Sequence, residues 1–162
     1  MIRIARPSDL AELDALFARA YPALLKADYP PSVLVTALPR ISRAQPALLA
    51  SGTYRVAEEG GRIVAAGGWT AKAPGSVRAG RGLGSVRHVV TDPNHLRRGH
   101  ARAILTECIE EARARGMIAM LAMSTRTAVP FYAALGFRAL GEEEVMLDRA
   151  VPFPAERMVR PL

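Results

Sequence analysis

The residues best suited to chemistry lie in one stretch, Val86 to Ala112, which reads VRHVVTDPNHLRRGHARAILTECIEEA. Val86 to Thr91 is β-branched and apolar, as strands are, and Thr91-Asp92-Pro93-Asn94 has the residue types that end one. Arg97-Arg98-Gly99-His100-Ala101-Arg102 follows. Ala101, Ile104, Leu105, Cys108, Ile109 and Ala112 then recur at spacings of three and four, the buried stripe of an amphipathic helix. A strand, a basic glycine-containing turn and a helix together make an anion site, because the first amides of a helix have no internal partners and its dipole adds positive charge there. Gly99 and Ala101 keep the first turn clear of bulk, while Arg97, Arg98 and Arg102 supply charge-assisted donors. The spacing is neither GxxxxGK[ST] nor GxGxxG, which excludes those two nucleotide-binding loops.

Leu96-Arg97-Arg98-Gly99-His100-Ala101, with Asp92-Pro93 upstream, resembles the acetyl-CoA loop [QR]-x-x-G-x-[GA] of the GNAT N-acetyltransferases, with Leu96 replacing the usual Gln or Arg. Thr125 to Phe137, reading TRTAVPFYAALGF, resembles that family's closing signature N-x-x-A-x-x-[LF]-Y-x-x-x-G-[FY], with Thr125 where Asn is common. The two motifs stand in the right order, one helix and one strand apart, and the resemblance spans Val86 to Phe137.

The resemblance implies acetyl-CoA as the cofactor. It places the backbone amides of Val89, Val90 and Thr91 along the pantetheine arm and the turn Arg97, Arg98, Gly99, His100, Ala101 and Arg102 around the diphosphate. Ser124, Ala128, Phe131 and Tyr132 would complete the cofactor site. It also makes Tyr132 the general acid, since a phenol with a pKa near ~10 is protonated at neutral pH and can donate to a departing thiolate; the competing role is a helix tyrosine packed on the sheet. Relatives that use a strand carboxylate place it around Ser85 or Arg87, yet Ala73 to Thr91 contains no Asp or Glu. His88 is the titratable base left in that strand, but alternation puts it on the opposite face from Arg87 unless a bulge intervenes. A structural histidine, a water chain or an amine arriving neutral are the alternatives. Arg87, Arg78 and Arg81 sit next to the acceptor side, where an inward guanidinium would suit a substrate with an anionic group. Tyr29, Trp69 and Tyr54 either line the acceptor pocket or belong to the core.

With 162 residues, the chain is expected to form one domain able to bury a substantial core. Cys108 is the lone cysteine, which excludes an internal disulfide and a cysteine-based zinc cluster and suits a reducing compartment. No metal site is expected. No apolar run approaches the length that spans a bilayer, and residues 1 to 25 lack a signal core, so the expected location is cytoplasmic, without a membrane partner. The net charge is +7, and 20 of the 22 basic residues are arginines, Lys26 and Lys72 being the exceptions. Arginine is spread from Arg3 to Arg160 without a dense run and aromatics for base stacking are few, which does not favour nucleic acid.

Ile2 and Ile4 alternate in a first strand, and Pro7-Ser8-Asp9 opens a helix with Leu10, Leu13, Leu16, Phe17 and Ala20 as its stripe, ended by Pro22. Ser32 to about Ser42 reads as a second helix interrupted by Pro39. Thr53 to Glu58 and Arg62 to Ala71 flank the hairpin signal Glu59-Gly60-Gly61. Ala73 to Gly84 reads as a basic, glycine-rich loop suited to a lid. Met117 to Met123 is apolar throughout, as interior strands are. A short helix spans Thr125 to Leu135, a strand Phe137 to Leu147, and a last strand Ala155 to Val159 after a break at Val151 to Pro154. The expected fold is a single-domain α/β architecture with a mixed, mostly antiparallel central sheet and helices on both faces. The expected activity is acetyl transfer from acetyl-CoA to a small-molecule primary amine by direct attack, in a monomer or a homodimer. A non-catalytic acyl-CoA-binding or regulatory module, and a ribosome-associated protein that acetylates a protein amine, are the rival classes.

Overall fold

Among the described residues, seven strands form one sheet and five helices close over it. The computed structural model describes residues 1–71 and 82–162; most of the basic loop expected from Ala73 to Gly84, with Arg78 and Arg81, lies outside the described residues. The strands are β1 (Ile2–Ile4), β2 (Tyr54–Glu59), β3 (Arg62–Thr70), β4 (Leu83–Thr91), β5 (Ala119–Ser124), β6 (Arg138–Leu147) and β7 (Val151–Pro161). The helices are α1 (Leu10–Leu25), α2 (Pro31–Ile41), α3 (Pro46–Leu49), α4 (His100–Ala114) and α5 (Val129–Ala134). One sheet runs in the order β1-β2-β3-β4-β5-β7-β6, and every neighbouring pair is antiparallel except β4–β5. The expected fold class holds.

The two faces bury separate cores. On one, α1, α2 and α3 bury Leu13, Leu16, Phe17, Leu34 and Leu48 against Tyr54, Val56 and Ile63. On the other, Ile104, Leu105, Cys108 and Ala112 of α4 and Tyr132 of α5 pack on Trp69, Met120 and Phe137. Those α4 positions are the stripe read from the spacing.

Two irregularities shape the middle of the sheet. β4 and β5 pair only at Leu83↔Ala119, Gly84↔Met120 and Ser85↔Leu121, after which they part. On its other side, β4 shifts register against β3, because Ala66 faces Val90 while Gly68 faces Arg87. The extra residue is a β-bulge at His88, whose φ is +42°. Next to the bulge a Cβ on Gly67 would stand 3.1 Å from Val89 Cγ2, and the other side of β3 is crowded against β2. A Cβ on Gly68 would stand 2.6 Å from the Thr53 carbonyl oxygen and 2.7 Å from the Tyr54 Cα. Glycine at this position lets the β2 backbone approach closely.

Proline misled the element boundaries in two places. α1 continues through Pro22 to Leu25, since Tyr21 and Leu25 are buried and their packing outweighs one lost helix bond. α2 runs through Pro39 to Ile41, close to the span read from the sequence, and the short α3 follows it. β7 starts at Val151, so Pro152 and Pro154 lie inside a strand. β5 pairs with β7 only from Glu156 onward, which makes this part of β7 an edge on the cleft side, where proline is tolerated. The Pro154 carbonyl points away from β6 to accept a bond from the Tyr29 hydroxyl at 2.7 Å.

Candidate active site

The parting of β4 from β5 opens a cleft of about 1110 Å³ that reaches both faces of the sheet. On the α4 face, Leu96 to Arg102, Ser124, Ala128, Phe131 and Tyr132 line it. Val89, Val90 and Thr91 line its floor, and on the α1 face it continues past Tyr21, Arg87 and His88 to α2 and the β6–β7 tip. Every cofactor-site residue expected from the sequence therefore faces one cavity, which its lining does not extend to Tyr29 or Trp69.

The anion-binding turn is built by backbone conformation. Asp92 accepts from the Asn94 amide at 2.9 Å and from Arg19 at 3.0 Å, which turns the chain sharply after β4. Arg97 and Gly99 then take left-handed φ values of +62° and +81°. Only glycine does so cheaply, and a Cβ at Gly99 would meet nothing within 4 Å, so the space over the turn is open. No side chain caps α4. Its first amides are left for a ligand, and among the described residues no carboxylate pairs with Arg97 or Arg102. Open amides, a clear approach and unpaired guanidinium groups fit a diphosphate.

Glu59 is the residue the sequence did not reveal. At the β2–β3 hairpin its carboxylate accepts from Arg98 at 2.9 Å and meets His100 Nε2 at 2.9 Å, fixing two side chains of the turn. These partners, His100 foremost, hold its carboxyl below the usual range. A hairpin glutamate 39 residues from Arg98 carries no local signal, since only the sheet brings them together.

Tyr132 is 6% exposed, its ring set edge-on to Phe131 and Phe137 at 5.2 and 5.3 Å. Among the described residues its hydroxyl has no hydrogen-bond partner, and burial pushes the phenol well above its ordinary value. It is thus a protonated donor facing the cleft. The packed and the chemical roles are compatible, for Tyr132 is both a core residue and part of the cleft lining.

The bulge settles the facing of His88. It turns the ring onto the α1 side, parallel to Phe17 at 5.6 Å and with Nδ1 3.4 Å from the Tyr21 hydroxyl. Burial first, and the Arg87 charge second, lower its pKa to about 4. His88 is neutral at physiological pH but a weak base. Arg87 donates to Thr70 at 3.2 Å, burial lowers its pKa, and among the described residues no carboxylate reaches it.

Two residues expected at the acceptor pocket lie elsewhere. Tyr29 is 3% exposed, stacks on Phe153 at 4.6 Å, and ties Pro154 to the Arg126 amide through its hydroxyl. Trp69 points to the opposite face, where its indole donates to Glu111 at 3.0 Å beneath α4. Strand parity decides the second case, since the Thr70 side faces the acceptor and the Trp69 side does not. The third, Tyr54, is also core, its hydroxyl holding the His88 carbonyl at 2.7 Å.

Residues 12–137 match the model of the acetyltransferase (GNAT) family. The chain belongs to that family. Acetyl-CoA is the cosubstrate of GNAT proteins. A 75-residue stretch is 35% identical to a glucosamine 6-phosphate N-acetyltransferase of Trypanosoma brucei brucei, covering 46% of this chain; the chain spans about half the length of that relative, 50%. Among solved structures, the GCN5-related N-acetyltransferase "Aminotransferase, Class-II" of Rhodopseudomonas palustris superposes with a TM-score of 0.77 at 20% identity, covering 100% of this chain and 95% of that one. The PaiA N-acetyltransferase of Thermoplasma acidophilum in complex with coenzyme A gives 0.72 at 11% identity, covering 100% and 98%. These likenesses extend the GNAT fold over the N-terminal helices and β6–β7, beyond the motifs. Among the described residues no helix is long and apolar enough to cross a membrane.

Proposed function

We propose that this protein transfers an acetyl group from acetyl-CoA to the primary amine of a small molecule, by direct attack and without an acyl-enzyme. One observation carries this reading. A helix N-terminus free for a diphosphate and a buried phenol free to donate a proton open into the same cleft, beside a strand whose β5-facing edge is left unpaired from Val86 onward.

The thioester supplies an acyl group already activated for attack by nitrogen. The chain's task is to bind, orient and move protons. Arg97, Arg102 and the first α4 amides hold the phosphates, and Glu59 fixes Arg98 and His100 at the edge of the turn. The free β4 edge at Val89, Val90 and Thr91 offers backbone groups to an extended amide-bearing arm, as a neighbouring strand would. The carbon–nitrogen bond forms as the carbon–sulfur bond breaks. Tyr132 gives its proton to the leaving sulfur, and the proton shed by the nitrogen restores the phenol through solvent. Cys108 takes no part, since burial pushes its thiol up to about 12 and it is fully enclosed.

His88 is too weak a base to hold the proton of an alkylammonium. The amine therefore enters neutral, and His88 serves as a hydrogen-bond acceptor kept in place by Phe17 and Tyr21. Arg87 gives the acceptor side a desolvated cation, which suits a substrate with an anionic group. The relative named for glucosamine 6-phosphate supports an anionic small molecule of this kind. The single buried cysteine supports a cytoplasmic setting. The test is an amine screen with acetyl-CoA that reads free thiol. Thiol release that requires both an amine and the intact Tyr132 hydroxyl is the expected result; binding of coenzyme A without turnover of any amine would leave a binding module instead.

A further inference from the structure

The acceptor half of the cleft is more specific than an anionic amine requires. Beyond His88, one wall comes from α1 and α2 through Leu24, Leu25 and Ile41, and the facing wall from β6 and β7 through Met146, Leu147 and Phe153. Its rim carries Arg40, Asp148 and Arg149, with Arg40 3.9 Å from Asp148 across the mouth. Asp148 is set among Arg40, Arg149 and Arg87, so the balance of charge on this half is positive. A polyamine meets like charge here. A polyhydroxylated sugar would bury several of its hydroxyls against aliphatic carbon, with few polar side chains such as Gln45 to meet them, at a heavy cost.

Resting on the acetyl-transfer reading above, we infer that the acceptor is an amine on an apolar aliphatic or aromatic body with one anionic group, as in a free apolar amino acid. The apolar body fills the space between Leu24, Ile41, Met146 and Phe153, and the anion pairs with an arginine. The amine is then left against His88 and Tyr21, whose ring nitrogen and hydroxyl are uncharged acceptors. This differs from the amino-sugar phosphate in the name of the trypanosomal relative. The two chains match over only 46% of this one.

The test uses the full chain, acetyl-CoA and a free-thiol readout. In the series alanine, 2-aminobutyrate, norvaline and norleucine, kcat/KM is expected to rise about threefold to fourfold for each added methylene, as burial in an apolar pocket gives. Norleucine amide, which lacks the anion, is expected to fall at least ~10-fold below norleucine, and spermidine and glucosamine 6-phosphate to lie below norleucine. Ile41→Glu, at the half-exposed end of α2, should flatten the methylene series while leaving the dissociation constant of coenzyme A unchanged. A flat or falling series in the unaltered protein, faster turnover of spermidine or glucosamine 6-phosphate, or an amide better than its acid would overturn the inference with acetyl transfer intact. The last outcome would point to a peptide terminus. Thiol release with none of these amines, while coenzyme A binds, would overturn the acetyl-transfer reading and this inference with it.

Discussion

The Tyr21 hydroxyl stands 3.4 Å from Nδ1 of His88, and the two are held together by Phe17, which lies edge-on to one ring and parallel to the other. The contact keeps an uncharged imidazole in the wall of the cleft. A histidine with a folded pKa of about 4 and an unfolded value near 6.5 contributes stability above pH 6.5 that is withdrawn as pH falls toward 4, because the unfolded chain binds the proton more readily. The wild-type melting temperature should therefore drop between pH 6.5 and 4 more steeply than that of His88→Gln. A proton resonance of His88 titrating near 6.5 would show that the ring is not held this way.

Tyr132→Phe tests the proton donor. Removing the hydroxyl leaves the ring contacts with Phe131 and Phe137 in place, so the fold and the affinity for coenzyme A should be unchanged while kcat falls about 10²-fold. Isothermal titration and steady-state kinetics on one preparation separate the two effects. Undiminished kcat would remove the phenol from the mechanism.

Glu59 places a negative charge beside a turn built for anions. Glu59→Gln keeps an oxygen for Arg98 and His100 but removes that charge, so coenzyme A should bind a few-fold tighter at low salt, with the gain fading as salt screens it. Weaker binding at all salt concentrations would mean that the carboxylate chiefly braces the turn.

Leu96, 45% exposed on the cleft wall, occupies the position where the family usually has Gln or Arg. Leu96→Arg should lower the KM for acetyl-CoA about fivefold, the worth of one charge-assisted bond at a surface site. No change would mean that backbone amides already satisfy the phosphates.

Gly68 is the structural counterpart. A methyl group there would press on the β2 backbone at 2.6 Å, so Gly68→Ala should cost about 2 kcal/mol and lower the melting temperature by roughly 4–8 °C. An unchanged melting temperature would show that the two strands can move apart freely.

How much of this was legible follows from the range of each signal. The helix beginning at His100 was legible because its stripe and its glycine lie within a few residues of each other, and so was the Tyr132 region, where several fixed spacings coincide. Glu59, Tyr21 and the β6–β7 tip were not, because each reaches the cleft only through pairing between distant strands and helices. His88 was half legible: alternation raised the question of its facing, and the answer needed a bulge that shows only in the register of β4 against β3. Proline failed as a stop signal at Pro22 and Pro152 because its cost is local and the surrounding burial exceeds it.

The short β4–β5 ladder reaches beyond catalysis. An open strand edge on a protein's exterior invites neighbouring molecules to add to the sheet. Here three residue pairs suffice to hold the seam, and the bare edge beyond them faces inward, walled by α1 on one side and the α4 turn on the other. The chain keeps a strand ready to recruit a partner while shielding it from other copies of itself, so crowding in the cell should not convert its binding groove into a route to aggregation.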